Sequence, residues 1–348
     1  MEEVDYIVIG SGLAGISFCE QLRANNKSFV VFDNASQQSS AVAGGLYNPV
    51  VLKRFTAVWK CKEQLDLALP LYAELEALLG VKLDYKIPVY RKFASLEEQN
   101  DWFTASDKPI LSEYLSPKII KDNNPFIDGA FGYGEVLGAG RIDVKVLIDA
   151  YKSYLVQHGL FKDSVFNYDD LILEADAVQY ENIKANHIVF AEGFGVHKNP
   201  FFKALPLVPA KGELLTIKAP DLKIDYVLKA GVFLIPLGAD LYIVGATYEW
   251  KDLSGTVTES AKEELLTKLK KLISCEFEVV NQVAGIRPTV KDRRPLIGAH
   301  AAHKNMFVLN GLGTRGVMIG PYVAEQLYRF IENGTPLEKE IDIARFKL

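Results

Sequence analysis

The sequence predicts an α/β protein: a Rossmann-like unit that binds a dinucleotide, joined to a second unit rich in short strands. Three observations carry this expectation. Residues 6–15 read Tyr-Ile-Val-Ile-Gly-Ser-Gly-Leu-Ala-Gly, which is a strand, a glycine turn and the start of a helix. A second apolar run, Ser28-Phe29-Val30-Val31-Phe32-Asp33, ends in an acid. Between about 80 and 138, and again from about 207 to 283, the βα rhythm gives way to strand-like pieces.

The first turn has the chemistry of a phosphate cradle. Gly10 permits the tight turn, Gly12 lets a pyrophosphate approach the backbone, and Gly15 lets the helix pack on the strand. The N-terminus of that helix, with Ser11, Leu13 and Ala14 completing the turn, presents unpaired N–H groups and a positive dipole end. Asp33, followed by Asn34 and roughly 18–20 residues past the turn, is placed to accept hydrogen bonds from a ribose 2′-hydroxyl. Its charge repels a 2′-phosphate, so FAD or NAD fits better than NADP.

The remaining elements follow in order. The first unit comprises strand 5–9, helix 13–25 and strand 28–33, then a glycine-alanine loop, 39–49, that contains Ala43, Gly44 and Gly45. Apolar residues at helical spacing fill 57–79 and stop at Gly80. The α/β pattern returns at Gly140-Arg141-Ile142-Asp143, where Asp143 caps a helix to about 157, followed by strand 163–167 around Val165. Further strands over 171–189 end near Ala191 and Gly193. The second unit contributes strands 212–217, 232–235 and 241–244, and a helix over 259–273. The last segment is strand 305–309, a glycine loop over 311–316 and a helix over 318–332 closed by Asn333-Gly334. The chain therefore crosses between two domains more than once: 1–79, 139–206 and 284–348 form one, 80–138 and 207–283 the other.

Composition narrows the function classes. The 348 residues are 49% hydrophobic and 24% charged, with a net charge of −5, which gives no general attraction to nucleic acid or anionic lipid. The basic residues Lys268, Lys270, Lys271, Lys291, Arg293 and Arg294 read as solvated surface. Three cysteines, Cys19, Cys61 and Cys275, without a C-x-x-C pair, argue against a disulfide framework or redox dithiol. Met1-Glu2-Glu3-Val4-Asp5 runs straight into a strand and no apolar run is long enough to span a membrane, so a cytoplasmic protein with reduced thiols is expected. His300 and His303 lack further ligands, and no metal site is expected. No nucleophile elbow or Walker loop occurs.

Four separated segments resemble the D-amino-acid oxidase and glycine oxidase family of FAD enzymes. They are Gly10–Gly15 with Asp33; Ser40–Leu46; Gly140-Arg141-Ile142-Asp143 with its helix; and Ala284-Gly285-Ile286-Arg287-Pro288, Asp292-Arg293-Arg294-Pro295-Leu296-Ile297-Gly298 and Gly313-Thr314-Arg315-Gly316. The resemblance implies a glutathione-reductase-type FAD domain assembled from three stretches, and a substrate domain built on a mixed, largely antiparallel sheet that covers the isoalloxazine. The implied FAD set is Gly10, Ser11, Gly12, Leu13, Ala14, Gly15, Asp33, Asn34, Ala43, Gly44, Gly45, Val165, Ala191, Gly193, Gly313, Thr314, Arg315, Gly316, Val317 and Met318.

The resemblance also implies the chemistry. Arg287, in the family's Gly-x-Arg-Pro pattern, clamps a substrate carboxylate, for which a planar guanidinium is suited. Hydride passes from the amine-bearing carbon to flavin N5 and water hydrolyses the imine, with O2 or another acceptor taking the electrons. Arg315 and the following helix N-terminus offset charge at flavin N1–C2=O. Glycine oxidases carry a pocket tyrosine where this chain has Phe233, so Tyr248, with Trp250 beside it, is a candidate to line the pocket instead. No cysteine lies near Gly-x-Arg-Pro, so the FAD is expected to be non-covalent. The substrate class is a small amino acid or N-substituted glycine. Gly313–Gly316 and Thr289–Arg293 also resemble the FAD half of the enzyme that modifies the tRNA wobble uridine, whose substrate is itself an N-substituted glycine. A dehydrogenase with a non-oxygen acceptor is a further alternative.

Overall fold

A computed structural model describes residues 1–36, 38–121 and 124–346. Its centre is a sheet in which strand Glu2–Ile9 pairs in parallel with Phe29–Asp33 on one side and Ile183–Phe190 on the other. Phe161–Asp163 extends one edge in parallel, and Met306–Asn310 joins the C-terminal half of Ile183–Phe190. The antiparallel strands Val178–Tyr180, Ile172–Leu173 and Leu296–Ala299 complete it. Both faces are covered, which is why Tyr6, Ile7, Val8 and Ile9 form an unbroken apolar run. Tyr6 and Val8 face one core cluster, while Ile7 and Ile9 face another with Phe32, Phe190 and Val308.

The helices are α1 (Leu13–Ala24), α2 (Cys61–Leu79), α3 (Leu96–Ser106), α4 (Val144–Gln157), α5 (Glu259–Lys270) and α6 (Gly316–Asn333). Helices α1 and α6 approach closely: a Cβ on Gly316 would lie 2.9 Å from the Leu13 side chain, and one on Gly320 2.9 Å from Ser17 Oγ. The contact draws two helix N-termini together at the C-terminal edge of the sheet.

A second eight-stranded sheet runs Glu278–Arg287, Ala210–Lys218, Leu241–Gly245, Phe233–Gly238, Val227–Lys229, Val89–Lys92, Tyr133–Val136, Leu115–Ile120. It is antiparallel except where Val227–Lys229 meets Val89–Lys92. Alternate residues face opposite ways: Leu228 and Leu234 pack toward Leu265 and Leu269 of α5, whereas Val227 and Ile235 join the large core cluster. The α/β class with one mixed, mainly antiparallel sheet is as expected.

Three expectations need correction. The strand placed at 163–167 is Phe161–Asp163, and Val165 lies beyond its end. The region 80–138 is not only strand-like, because it contains α3, capped by the Ser95 side chain, which accepts from Glu98 N–H. This Ser-x-x-Glu start was legible as a capping signal. The final helix begins at Gly316, inside the expected glycine loop. The three cysteines are free and buried.

Pro321 sits inside α6 and lacks the N–H that would bond the Val317 carbonyl four residues earlier. The buried Tyr72 hydroxyl of α2 donates to that carbonyl at 2.9 Å instead. Tyr72→Phe therefore leaves a buried acceptor unpaired and should cost about 1–3 kcal/mol. Urea unfolding reads this, and an unchanged midpoint would discard the argument.

Candidate functional site

The glycine turn is held by backbone contacts that tolerate no side chain. A Cβ on Gly10, whose φ is +101°, would lie 2.6 Å from the Ala191 carbonyl oxygen, and one on Gly15 1.9 Å from that of Gly10. Gly12 is the N-cap of α1 and supplies no side-chain cap. Ser40 Oγ accepts from Leu13 N–H at 3.2 Å, so the glycine-alanine loop lies over this helix start. Asp33 accepts from Ser11 N–H at 2.7 Å and Ser11 Oγ at 2.5 Å, and its other oxygen accepts from Ala35 N–H at 2.8 Å. A carboxylate has about four lone-pair sites, so room for one further donor remains. Asn34 bonds Ser36 N–H locally, and Val165 is exposed at the same sheet edge, beyond the Asp163–Asp33 pairing.

Ala191 and Gly193 flank Glu192, a buried carboxyl that sequence reasoning missed. Burial raises its pKa, against hydrogen bonds from Asn199 and Tyr168 that lower it. The Asn310 amide donates to the Gly193 carbonyl at 2.9 Å, tying this turn to the C-terminal strand.

The loop carrying Ala43, Gly44 and Gly45 bridges the two sheets. A Cβ on Gly44 would meet Ile235 at 3.2 Å, and one on Gly45, at φ +69°, would lie 1.8 Å from the Ile142 carbonyl oxygen. Ser39 Oγ donates to the Ile286 carbonyl, one residue before Arg287. The last loop closes from the other side, with Gly313 N–H donating to the Pro288 carbonyl at 3.2 Å. Gly313, Thr314, Arg315, Gly316 and Val317 thus lie beside Arg287's strand end. Met318 points into the core and its N–H donates to the Arg315 carbonyl.

Arg287 ends strand Glu278–Arg287 and lies across Gly212 of the neighbouring strand, where a Cβ would fall 1.8 Å from its Nη2. Its guanidinium carbon is 4.6 Å from the Tyr248 ring centroid, and Nη1 donates to the Thr247 carbonyl at 3.3 Å. Burial lowers the pKa of Arg287, and the nearby Tyr248 opposes the shift. Arg315 is likewise lowered by burial, with Tyr248 raising and Arg293 lowering it. Among the described residues neither guanidinium has a carboxylate partner. Two desolvated cations without counter-ions make this a place for an anion.

These features fit an extended dinucleotide: a backbone cradle at a helix N-terminus, an acid beyond it, and a loop joining the cradle to the second sheet. A family profile, FAD dependent oxidoreductase (DAO), matches residues 5–329. The chain belongs to the DAO family of FAD-dependent oxidoreductases. It is 25% identical to glycine oxidase of Bacillus subtilis over 354 aligned positions, covering 94% of this chain and 92% of that one. It is 24% identical to the tRNA 5-methylaminomethyl-2-thiouridine biosynthesis bifunctional protein MnmC of Azoarcus, covering 98% of this chain and 60% of that one. The structure of glycine oxidase from Geobacillus kaustophilus superposes with a TM-score of 0.79 at 20% identity, covering 100% and 99% of the two chains. Family membership makes the cofactor FAD. No helix among the described residues is long and apolar enough to cross a membrane.

Sequence reasoning also missed Lys229. Its ammonium lies 4.2 Å from the Phe233 ring centroid and has no carboxylate partner among the described residues. Burial above all, then Arg91 and Lys268, pushes its pKa down to about 8. An unfolded lysine keeps its proton to about pH 10.4, so between pH 8 and 10 the unfolded chain binds the extra proton and stability rises with pH. Lys229→Met should be more stable than wild type at pH 7, by about 1–3 kcal/mol, with the advantage shrinking by pH 10. Thermal unfolding across that range checks this; a pH-independent difference would contradict it.

Proposed function

We propose that the chain oxidises the C–N bond of a small amino acid or N-substituted glycine, with Arg287 gripping the substrate carboxylate. The observation that carries this reading is the desolvated, unpaired guanidinium of Arg287, wedged over Gly212. The division into a cofactor unit (1–79, 139–206, 284–348) and a substrate unit (80–138, 207–283) belongs to the same proposal. Gly10–Gly15 and Asp33 would hold pyrophosphate and ribose, and 43–45 with 313–317 the ring end. When bound, FAD would supply a two-electron acceptor for the amine-bearing carbon, whose C–H would leave as hydride and whose N–H would leave as a proton; water would hydrolyse the resulting imine, and O2 or another acceptor would take the electrons.

The protein's part is positioning. A two-point guanidinium contact fixes the carboxylate, and with it the carbon next to it, so the reacting centre arrives oriented rather than free. Gly212 leaves the space that the guanidinium occupies, and the Thr247 carbonyl and Tyr248 ring hold it there. Arg315 and the N-terminus of α6 add positive potential on the cofactor side. Among the described residues Arg287 has no carboxylate partner, and an amine that enters neutral needs no protein base.

A second reading has the same chemistry on a carboxymethylamino group borne by tRNA; the MnmC relative, aligned over 98% of this chain, favours it. A salt-dependent mobility shift with tRNA, absent with an acidic homopolymer, would support that reading.

Arg287→Ala should reduce kcat/KM for a carboxylate substrate by about 10- to 150-fold, from the roughly 1.5–3 kcal/mol of a charged hydrogen bond. Anaerobic flavin bleaching against glycine, sarcosine, D-amino acids and proline measures it, and unchanged constants discard the clamp. Gly212→Ala should act in the same direction with folding intact, because it evicts the guanidinium without deleting it. Acid precipitation should release free FAD, since the cysteines are buried and Cys275 precedes the Arg287 strand; a yellow pellet would contradict non-covalent binding.

A further inference from the structure

We propose that Tyr248 and Trp250 form a stacking subsite, so that the preferred substrate carries a planar, aromatic group on its nitrogen or its α-carbon. This rests on the Arg287 clamp and names the substrate class that the clamp serves. The two rings stack on each other at 6.0 Å between centroids and 24° between planes, and the Tyr248 ring lies 4.6 Å from the Arg287 guanidinium carbon. They are 52% and 59% exposed, among the most open large side chains of the second sheet. Two apart in the chain, on either side of the isolated Lys211–Glu249 bridge, their rings meet, while the Thr247 Oγ1 accepts from Glu213 N–H.

The pair is held rather than left to drift. Lys211 and Glu249 exchange both backbone hydrogen bonds, at 2.8 and 2.9 Å. The Glu249 carboxylate accepts from the N–H groups of Trp250 and Lys251, at 2.8 and 2.6 Å. Below them the almost fully buried Lys211 ammonium pairs with Asp252 at 2.5 Å and Glu213 at 3.5 Å. Asp252 in turn accepts from Ser254 N–H at 2.8 Å. Exposed aromatic residues are common singly, but two stacked on an anchored strip, next to a desolvated guanidinium, make a recognition surface. A bare methyl or hydrogen on the substrate leaves both rings in water. Arg287 and Arg315 repel a cationic tail. A neutral ring stacks on the pair while its carboxylate reaches Arg287.

The test uses the FAD-loaded protein in two arms. Anaerobic flavin bleaching compares glycine and sarcosine with N-benzylglycine, 5-carboxymethylaminomethyluridine and the two enantiomers of phenylalanine, separating a ring on nitrogen from one on carbon. The best ring-bearing substrate should exceed sarcosine in kcat/KM, and Trp250→Ala should lower that ratio by about 2- to 13-fold, the span of one aromatic contact. Trp250→Phe should restore most of it. The second arm needs no turnover: the ratio of Kd for acetate to Kd for phenylacetate, followed by flavin absorbance, should fall by the same factor in Trp250→Ala. An unchanged ratio in either arm, or parity of sarcosine with every ring-bearing amine, overturns the subsite. Failure of every amine to bleach the flavin overturns the amine-oxidising reading, and the binding arm then decides the subsite alone.

Discussion

Backbone meets backbone where Gly15 crosses Gly10 and where Gly10 crosses Ala191, and the cofactor side of the molecule depends on that approach. Without it the start of α1 could not lie against the sheet edge, and its free N–H groups would not converge on one spot. The same economy of side chains recurs at Gly316 and Gly320, which bring the start of α6 against α1. Two positive helix ends therefore share one edge of the parallel sheet, a natural seat for negative charge. The Gly44–Gly45 turn carries that edge across to the second sheet.

Beside the second sheet three cations have no carboxylate partner among the described residues. Arg287, Arg315 and Lys229 are all partly removed from water, and each has its pKa lowered by the removal. Desolvated cations without partners work against folding, and for Arg287 the proposed substrate carboxylate is the anion that would offset this. Lys211 shows the contrasting design. It is equally cationic and still more buried, but Asp252 and Glu213 surround it, so it anchors instead of binding.

Much of this was legible in the chain. The alternation of apolar strand and helix over 5–33 marked the cradle because buried parallel strands leave a continuous apolar signature, and Asp143 announced α4 through its capping side chain. Arg287 was singled out as a candidate by motif. What pairing and tertiary contact decide was not readable: Phe161–Asp163 is a strand because Phe29–Asp33 lies beside it, not because of its own pattern. Gly212 looked like any strand glycine until Arg287 was seen lying across it. Glu192 and Lys229 are conspicuous only through burial, which no linear pattern reports.

The central sheet interleaves distant parts of the chain. Strand Glu2–Ile9 lies next to Ile183–Phe190, which in turn lies next to Met306–Asn310. During synthesis the opening strand must therefore wait for its second neighbour until Ile183–Phe190 has been made, and that strand in turn for Met306–Asn310. Such high contact order makes folding slow and leaves the nascent chain dependent on shielding from aggregation.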